Sequence, residues 1–173
     1  MQKQWSLSYA EAESILAKLH GVPDDTQKGA FRGRLKHLRR LGIPIDSHTG
    51  RGSKISYLPD QLFQWAFCLE LAEFGIDPVV IATFIKSKWS AEISEQFLAT
   101  LTSGTDQFFV WNPCLMSNGS EPETFQFDWS DFKKLVTHSI HRVKNLRRRA
   151  MIINISDLTK EIDRAAAKLH AAR

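Results

Sequence analysis

Apolar residues recur every three or four positions through most of the first hundred residues, which is the spacing of amphipathic helices. A first helix is predicted directly after Ser8, because Glu11 follows Ser8 by three residues in the pattern of a capping box. This helix is predicted to stop near Gly21, and the second helix near Gly42. The predicted caps or first residues of the later helices are Asp25 or Thr26, Pro59, Asp77, Ser90, Ser130 and Ser156.

Shorter segments carry strand-like patterns. Ile43–Ile45 and Lys54–Tyr57 flank a Ser/Thr/Gly-rich tip at residues 50–52, which predicts a β-hairpin. Residues 107–116, 124–129 and 150–155 are β-prone, and the alternation in 124–129 is typical of a half-buried strand. The predicted fold is therefore mainly α with small β elements. Residues 1–90 are predicted to form a winged helix–turn–helix domain and residues 91–173 a small α+β domain, with the boundary near 90–104.

Charge changes this picture because its distribution is uneven. The 173 residues carry a net charge of +4, but residues 26–57 hold eight Lys/Arg against one Asp/Glu. Residues 142–173 hold nine against three, whereas residues 91–141 hold two against seven. Segregated positive charge of this kind is an electrostatic footprint for a polyanion such as nucleic acid.

The second predicted helix, "KGAFRGRLKHLRRLG" at residues 28–42, combines this charge with two glycines. A helical projection places Phe31, Leu35 and Leu38 on one face, and Gly29 and Gly33 among the cations on the other. Glycine inside a helix costs about 0.5–1 kcal/mol relative to alanine. Three explanations stay open at this point: a helix thinned for close approach to DNA, a solvated cationic face with incidental glycines, and close helix–helix packing through the glycines.

The order helix, turn, basic helix, hairpin is that of a winged helix–turn–helix, in which the second helix enters the major groove. Arg51 and Lys54 lie at or beside the predicted hairpin tip, where a wing reaches the neighbouring backbone. For a basic tip taken alone, an ordinary exposed turn is the alternative explanation. The order of elements makes a DNA-binding domain the favoured interpretation.

Three segments carry a resemblance to a known family. "LRRLGIP", "GRGSKISYLPDQL" and "LELAEFGIDPVVIATFI" resemble the end of the recognition helix, the wing and the following helical corner of MerR-like winged-helix proteins. The resemblance covers roughly residues 8–88. It implies DNA contacts from the second helix, with Lys36 and His37 near the usual contact position, and from Arg51 and Lys54 in the wing.

These observations predict a bacterial, cytoplasmic, nucleoid-associated regulator that binds specific double-stranded DNA sequences as a homodimer. Two alternatives stay open: an architectural or recombination accessory protein of excisionase or partition type, and an interaction module that docks an acidic protein. The predicted DNA-binding residues are Thr26, Lys28, Gly29, Arg32, Gly33, Lys36, His37, Arg39, Arg40, Arg51 and Lys54.

The C-terminal half is expected to supply dimerisation, a protein-partner surface or a small-molecule effector site. A second basic patch is predicted in it, for which a solvated helix end is the alternative; its members are Arg142, Lys144, Arg147, Arg148 and Arg149. His138 and His141 have no neighbouring ligand pair, so no metal and no cofactor is expected. No phosphate loop or nucleophile motif occurs, and an enzyme is not expected. Cys68 and Cys114 are expected to be buried free thiols, and no apolar run is long enough to span a membrane.

Overall fold

A computed structural model of the chain describes residues 5–22, 27–47, 55–103, 106–112, 123–128 and 151–171. The described part is mainly helical with a small antiparallel sheet, as the sequence predicts. Its helices are α1 (Tyr9–Leu19), α2 (Lys28–Arg40), α3 (Pro59–Glu73), α4 (Pro78–Lys88), α5 (Ser94–Ser103) and α6 (Ile155–Ala171). Its strands are β1 (Gln107–Asn112), β2 (Glu123–Asp128) and β3 (Met151–Asn154).

Two of the predicted helix starts are confirmed in detail. At α1 the Ser8 hydroxyl accepts from the Glu11 backbone N–H at 3.4 Å, and the Glu11 carboxylate accepts from the Ser8 backbone N–H at 2.8 Å. At α4 the Asp77 carboxylate accepts from the Val79 backbone N–H at 2.8 Å, with Pro78 as the first helical residue. Both caps satisfy amide groups that the helix itself leaves without a partner.

Pro59 is also confirmed as the first residue of α3, and Ser130 lies outside the described residues. The other predicted caps are wrong. The N-cap position of α2 is Gln27, without a side-chain cap bond. No helix begins at Ser90, because α4 continues into α5 through a π-helical turn at Trp89–Ile93 that buries both Trp89 and Ile93. The last helix starts one residue before Ser156, and the Asn154 side chain accepts from the Asp157 backbone N–H at 3.0 Å. Ser156 instead accepts from the Gln107 backbone N–H at 2.8 Å.

The predicted hairpin strands between α2 and α3 are also wrong within the described residues. Ile43–Ile45 is not a strand, because its backbone groups bond to side chains of α3. The Trp65 indole N–H donates to the Ile43 carbonyl at 3.1 Å, and the Gln64 carbonyl oxygen accepts from the Ile45 N–H at 2.8 Å. Tyr57 pairs with Leu7 in a two-way backbone bridge of 2.9 and 2.7 Å. The predicted tip, residues 50–52, lies outside the described residues.

Helix α3 forms the centre of the N-terminal core. Residues 61–69 and Leu71 are all buried, so the helix is covered on every side. The Trp65 ring lies 4.6 Å from that of Tyr57 and 6.0 Å from that of Tyr9, measured between centroids. Cys68 is a buried free thiol, as expected, and burial raises its pKa. Cys114 lies outside the described residues.

The described chain divides into two compact units. Unit 1 comprises Met1–Glu95 with Leu158–Arg173, and unit 2 comprises Gln96–Asp157. The prediction placed all of 91–173 in the second domain, whereas most of α6 belongs to unit 1. One long-range bond inside unit 1 joins its two segments: the Trp5 indole N–H donates to Asp163 at 3.3 Å. Local sequence patterns could not reveal that the C-terminal segment belongs to the same unit as the N-terminal residues.

Unit 2 contains the antiparallel sheet in the order β2-β1-β3. Phe108 of β1 pairs with Phe127 of β2 and with Asn154 of β3. Three successive residues of β1 are buried, namely Phe108, Phe109 and Val110, so both faces of this central strand are covered. The three predicted β segments are thus confirmed as strands over 107–112, 124–128 and 151–154, whereas Ile155 already begins α6. The other ends of the predicted segments lie outside the described residues. No helix among the described residues is long and apolar enough to cross a membrane.

Candidate nucleic-acid interface

Helix α2 has two chemically distinct faces. Phe31, Leu35 and Leu38 are at most 5% exposed, and every other residue of the helix is exposed. The predicted division into an apolar stripe and a cationic face is therefore confirmed. The buried stripe fixes the rotation of α2 in unit 1, and this rotation determines which cations point away from the protein.

At about 100° of turn per residue, five residues lie within roughly 60° of the direction opposite the buried stripe. We call these residues the outer face of α2: Gly29, Gly33, Lys36, His37 and Arg40. Within the described part of the chain, the three side chains of this face make no hydrogen bond or ion pair. The face therefore combines two glycines with three basic side chains free to bind a ligand.

Neither glycine of the outer face packs against the part of the protein that the structure describes. A Cβ atom added at Gly29 or at Gly33 would meet no heavy atom within 4 Å. Both residues also have ordinary helical backbone, since neither has a positive φ. Close helix–helix packing through the glycines therefore finds no support, and backbone conformation does not require glycine at either position.

Arg32, one flank of this face, is held by α1. Its guanidinium donates to Glu13 in a two-pronged arrangement, with Nη2 to Oε1 at 2.7 Å and Nε to both carboxylate oxygens at 3.0 Å. This hydrogen bonding raises the pKa of Arg32, and the charge of Glu13 acts in the same direction. Arg32 was predicted to contact DNA, but its Nε and Nη2 atoms bond to a carboxylate of its own chain.

Two more cations of α2, Arg39 and Arg34, are also engaged by residues of neighbouring helices. The Arg39 guanidinium carbon lies 5.6 Å from the centroid of the Tyr9 ring on α1, a cation–π distance. Burial raises the pKa of Tyr9, with Glu13 acting in the same direction. On the opposite flank, Arg34 Nη1 donates to Glu73 Oε1 of α3 at 2.9 Å. Helix α2 is thus fastened to α1 on one side and to α3 on the other.

His20 lies beneath α2, at the C-terminal end of α1. Its ring centroid is 6.4 Å from that of Phe31, and its Nδ1 is 3.6 Å from the Glu70 carboxylate. Burial lowers the pKa of His20, whereas Glu73 acts to raise it. This histidine packs in the core under the helix and does not belong to the outer face.

The sequence singled out the cations of α2 but not the residues that fasten three of them. Tyr9, Glu13 and Glu73 were missed, because the Arg32–Glu13 and Arg34–Glu73 pairs join positions 19 and 39 residues apart. Lys28 is exposed in the first turn of α2. The remaining predicted residues lie outside the described residues: Thr26, Arg51, Lys54, Arg142, Lys144, Arg147, Arg148 and Arg149.

Among the described residues, no group of three or more His, Cys, Asp or Glu side chains is arranged to hold a metal ion. His138 and His141 lie outside those residues. Neither a protein-family model nor a curated protein sequence matches this chain. The resemblance to MerR-like proteins thus stays a prediction that rests on the three quoted segments.

The ion pair of Arg32 leads to a first test. If Arg32 serves to fasten α2, Arg32→Ala and Glu13→Gln should weaken DNA binding by similar, modest factors, and the double variant should be no worse than either. Partners in one interaction are expected to be non-additive in this way. Affinity by fluorescence anisotropy and thermal unfolding would be measured for all three variants. Tighter binding by Glu13→Gln that disappears in the double variant would instead show that a released Arg32 contacts DNA.

Proposed function

We propose that this chain is a sequence-specific double-stranded DNA-binding regulator, and that α2 enters the major groove with its outer face toward the bases. The observation that carries the proposal is the composition of that face. Two glycines with open space above them lie beside Lys36, His37 and Arg40, none of which is engaged by the described part of the protein. Lys and Arg neutralise phosphates and reach base edges, which suits this set to DNA.

Dimensions support the same orientation. An α-helix with its side chains is about 10–12 Å across, close to the roughly 12 Å width of the major groove. Removing the side chains at positions 29 and 33 thins the helix on the side that faces the bases. The first turn of α2 itself contributes no acidic side chain that would repel the phosphates. The anchors at Glu13, Tyr9 and Glu73 hold the helix in one orientation before binding, which reduces the entropy lost in the complex.

The finer parts of the proposal concern the segment between α2 and α3 and the oligomeric state. We assign Arg51 and Lys54 to backbone contacts beside the groove, as the MerR-like resemblance implies. We also propose a homodimer, because one helix reads few base pairs and paired half-sites extend the recognised sequence. Phe74, Val79 and Val80, at the corner between α3 and α4, are each at least 50% exposed and offer an apolar surface for the second copy.

An unbiased selection tests the proposal. The full chain would be incubated with a pool of random duplexes at about physiological salt, and bound duplexes sequenced over successive rounds. We expect one short motif to be enriched, in two copies about one helical turn, or a multiple of it, apart. Binding to all duplexes without enrichment would favour an architectural role. No duplex binding at that salt would contradict DNA binding and favour an acidic protein partner.

A further inference from the structure

The outer face of α2 is restricted in the kind of hydrogen bond it can make. Residues 28–40 contain no Asp, Glu, Asn or Gln. Lys36 offers three N–H donors and Arg40 five, and neither side chain can accept a hydrogen bond. Only His37 can offer an acceptor, and only when its ring is neutral. Because the flanking Arg32 and Arg34 are bonded to carboxylates, the two donor-only side chains dominate the face.

This restriction discriminates among base pairs. In the major groove, guanine presents two acceptors, O6 and N7, side by side. Adenine presents one acceptor beside a donor, and cytosine presents a donor, so both need an acceptor on the protein for a complete match. Thymine presents one acceptor and a methyl group. A donor-only side chain therefore makes its two-bonded contact with guanine alone.

From this chemistry we infer that the outer face selects guanine, with Lys36 and Arg40 each donating to O6 and N7 of one guanine in the recognised half-site. The inference rests on the proposed function and adds which base the recognised duplexes must contain. Lys36 and Arg40 are four residues apart, a rise of about 6 Å along the helix. Base pairs are about 3.4 Å apart along the duplex, so the two guanines lie within about two base-pair steps.

The glycines limit the length of the contacted sequence. Gly29 and Gly33 occupy the N-terminal half of the outer face and have no side chain to reach a base edge. Direct readout by α2 is therefore confined to its C-terminal half, around Lys36, His37 and Arg40. We expect a short guanine-containing core in each half-site, with weaker preferences on either side of it.

Replacement of guanine by 7-deazaguanine tests this inference. The replacement removes the N7 acceptor and keeps Watson–Crick pairing. In each half-site of the duplex obtained by selection, we expect a loss of affinity of about fivefold or more at each of two guanines. In Lys36→Ala the loss should vanish at one of these guanines, and in Arg40→Ala at the other. Arg34→Ala, which removes a cation already bonded to Glu73, is the matched control and should keep both losses.

The outcomes separate this inference from the proposed function. An enriched motif whose guanines tolerate 7-deazaguanine, or a motif of A·T pairs alone, would overturn guanine selection and leave sequence-specific binding intact. Failure to enrich any motif would remove the basis of both. Losses that persist unchanged in Lys36→Ala and in Arg40→Ala would show that other side chains read the guanines, and would overturn the assignment.

Discussion

Gly33→Leu is expected to stabilise the free protein and at the same time to weaken DNA binding by about tenfold or more. A Cβ added at this position has no heavy atom within 4 Å, so the first atom of the new side chain finds open space. Helix propensity alone should then raise the free energy of unfolding by about 0.5–1 kcal/mol. In the complex, leucine would hold α2 away from the groove, with loss of at least one base contact of about 1–3 kcal/mol.

Urea unfolding and duplex affinity would be measured on the same preparations. Gly33→Ala should give nearly the same gain in stability with a smaller loss of binding, because its side chain projects less. Ala167→Leu, at an exposed position of α6, is the matched control for an added surface leucine and should bind normally. Normal binding by Gly33→Leu would show that the glycine is incidental to DNA recognition.

Lys36→Ala and Arg40→Ala should each reduce affinity for the selected duplex by about five- to 150-fold, the equivalent of 1–3 kcal/mol per base contact. The folded protein should hardly change, because neither side chain has a polar partner in the described part of the chain. Substitution of exposed residues without such partners usually changes stability by less than about 0.5 kcal/mol. Arg34→Ala should have only a small effect on binding, because its guanidinium is already bonded to Glu73.

Titration with the selected duplex and with an unrelated duplex, at several salt concentrations, would separate base contacts from phosphate contacts. Loss of a base contact lowers affinity mainly for the selected duplex. Loss of a phosphate contact lowers affinity for both duplexes and reduces the salt dependence by about one unit of slope. Equal losses on both duplexes for Lys36→Ala and Arg40→Ala would assign these residues to the backbone. Unchanged affinity would remove α2 from the interface.

Local features of the fold were predictable where neighbouring residues decide them. The capping box at Ser8 and Glu11 and the cap at Asp77 depend on bonds that span two or three residues. The three strands of unit 2 were predictable from their β-prone composition. Ile43–Ile45 has the composition of a strand as well, but the side chains of Gln64 and Trp65 occupy its backbone groups. Local propensity cannot anticipate such a competitor from another helix.

The sequence by itself determined that α2 has an apolar stripe and an opposite cationic face, because the helical period alone orders side chains around the axis. It also placed Gly29 and Gly33 on the cationic side. Only the tertiary structure decided which cations are left to meet a ligand. Arg32, Arg34 and Arg39 are engaged by α1 and α3, whereas Lys36 and Arg40 are not. Partners so distant in the chain meet only when the core sets the packing of these helices.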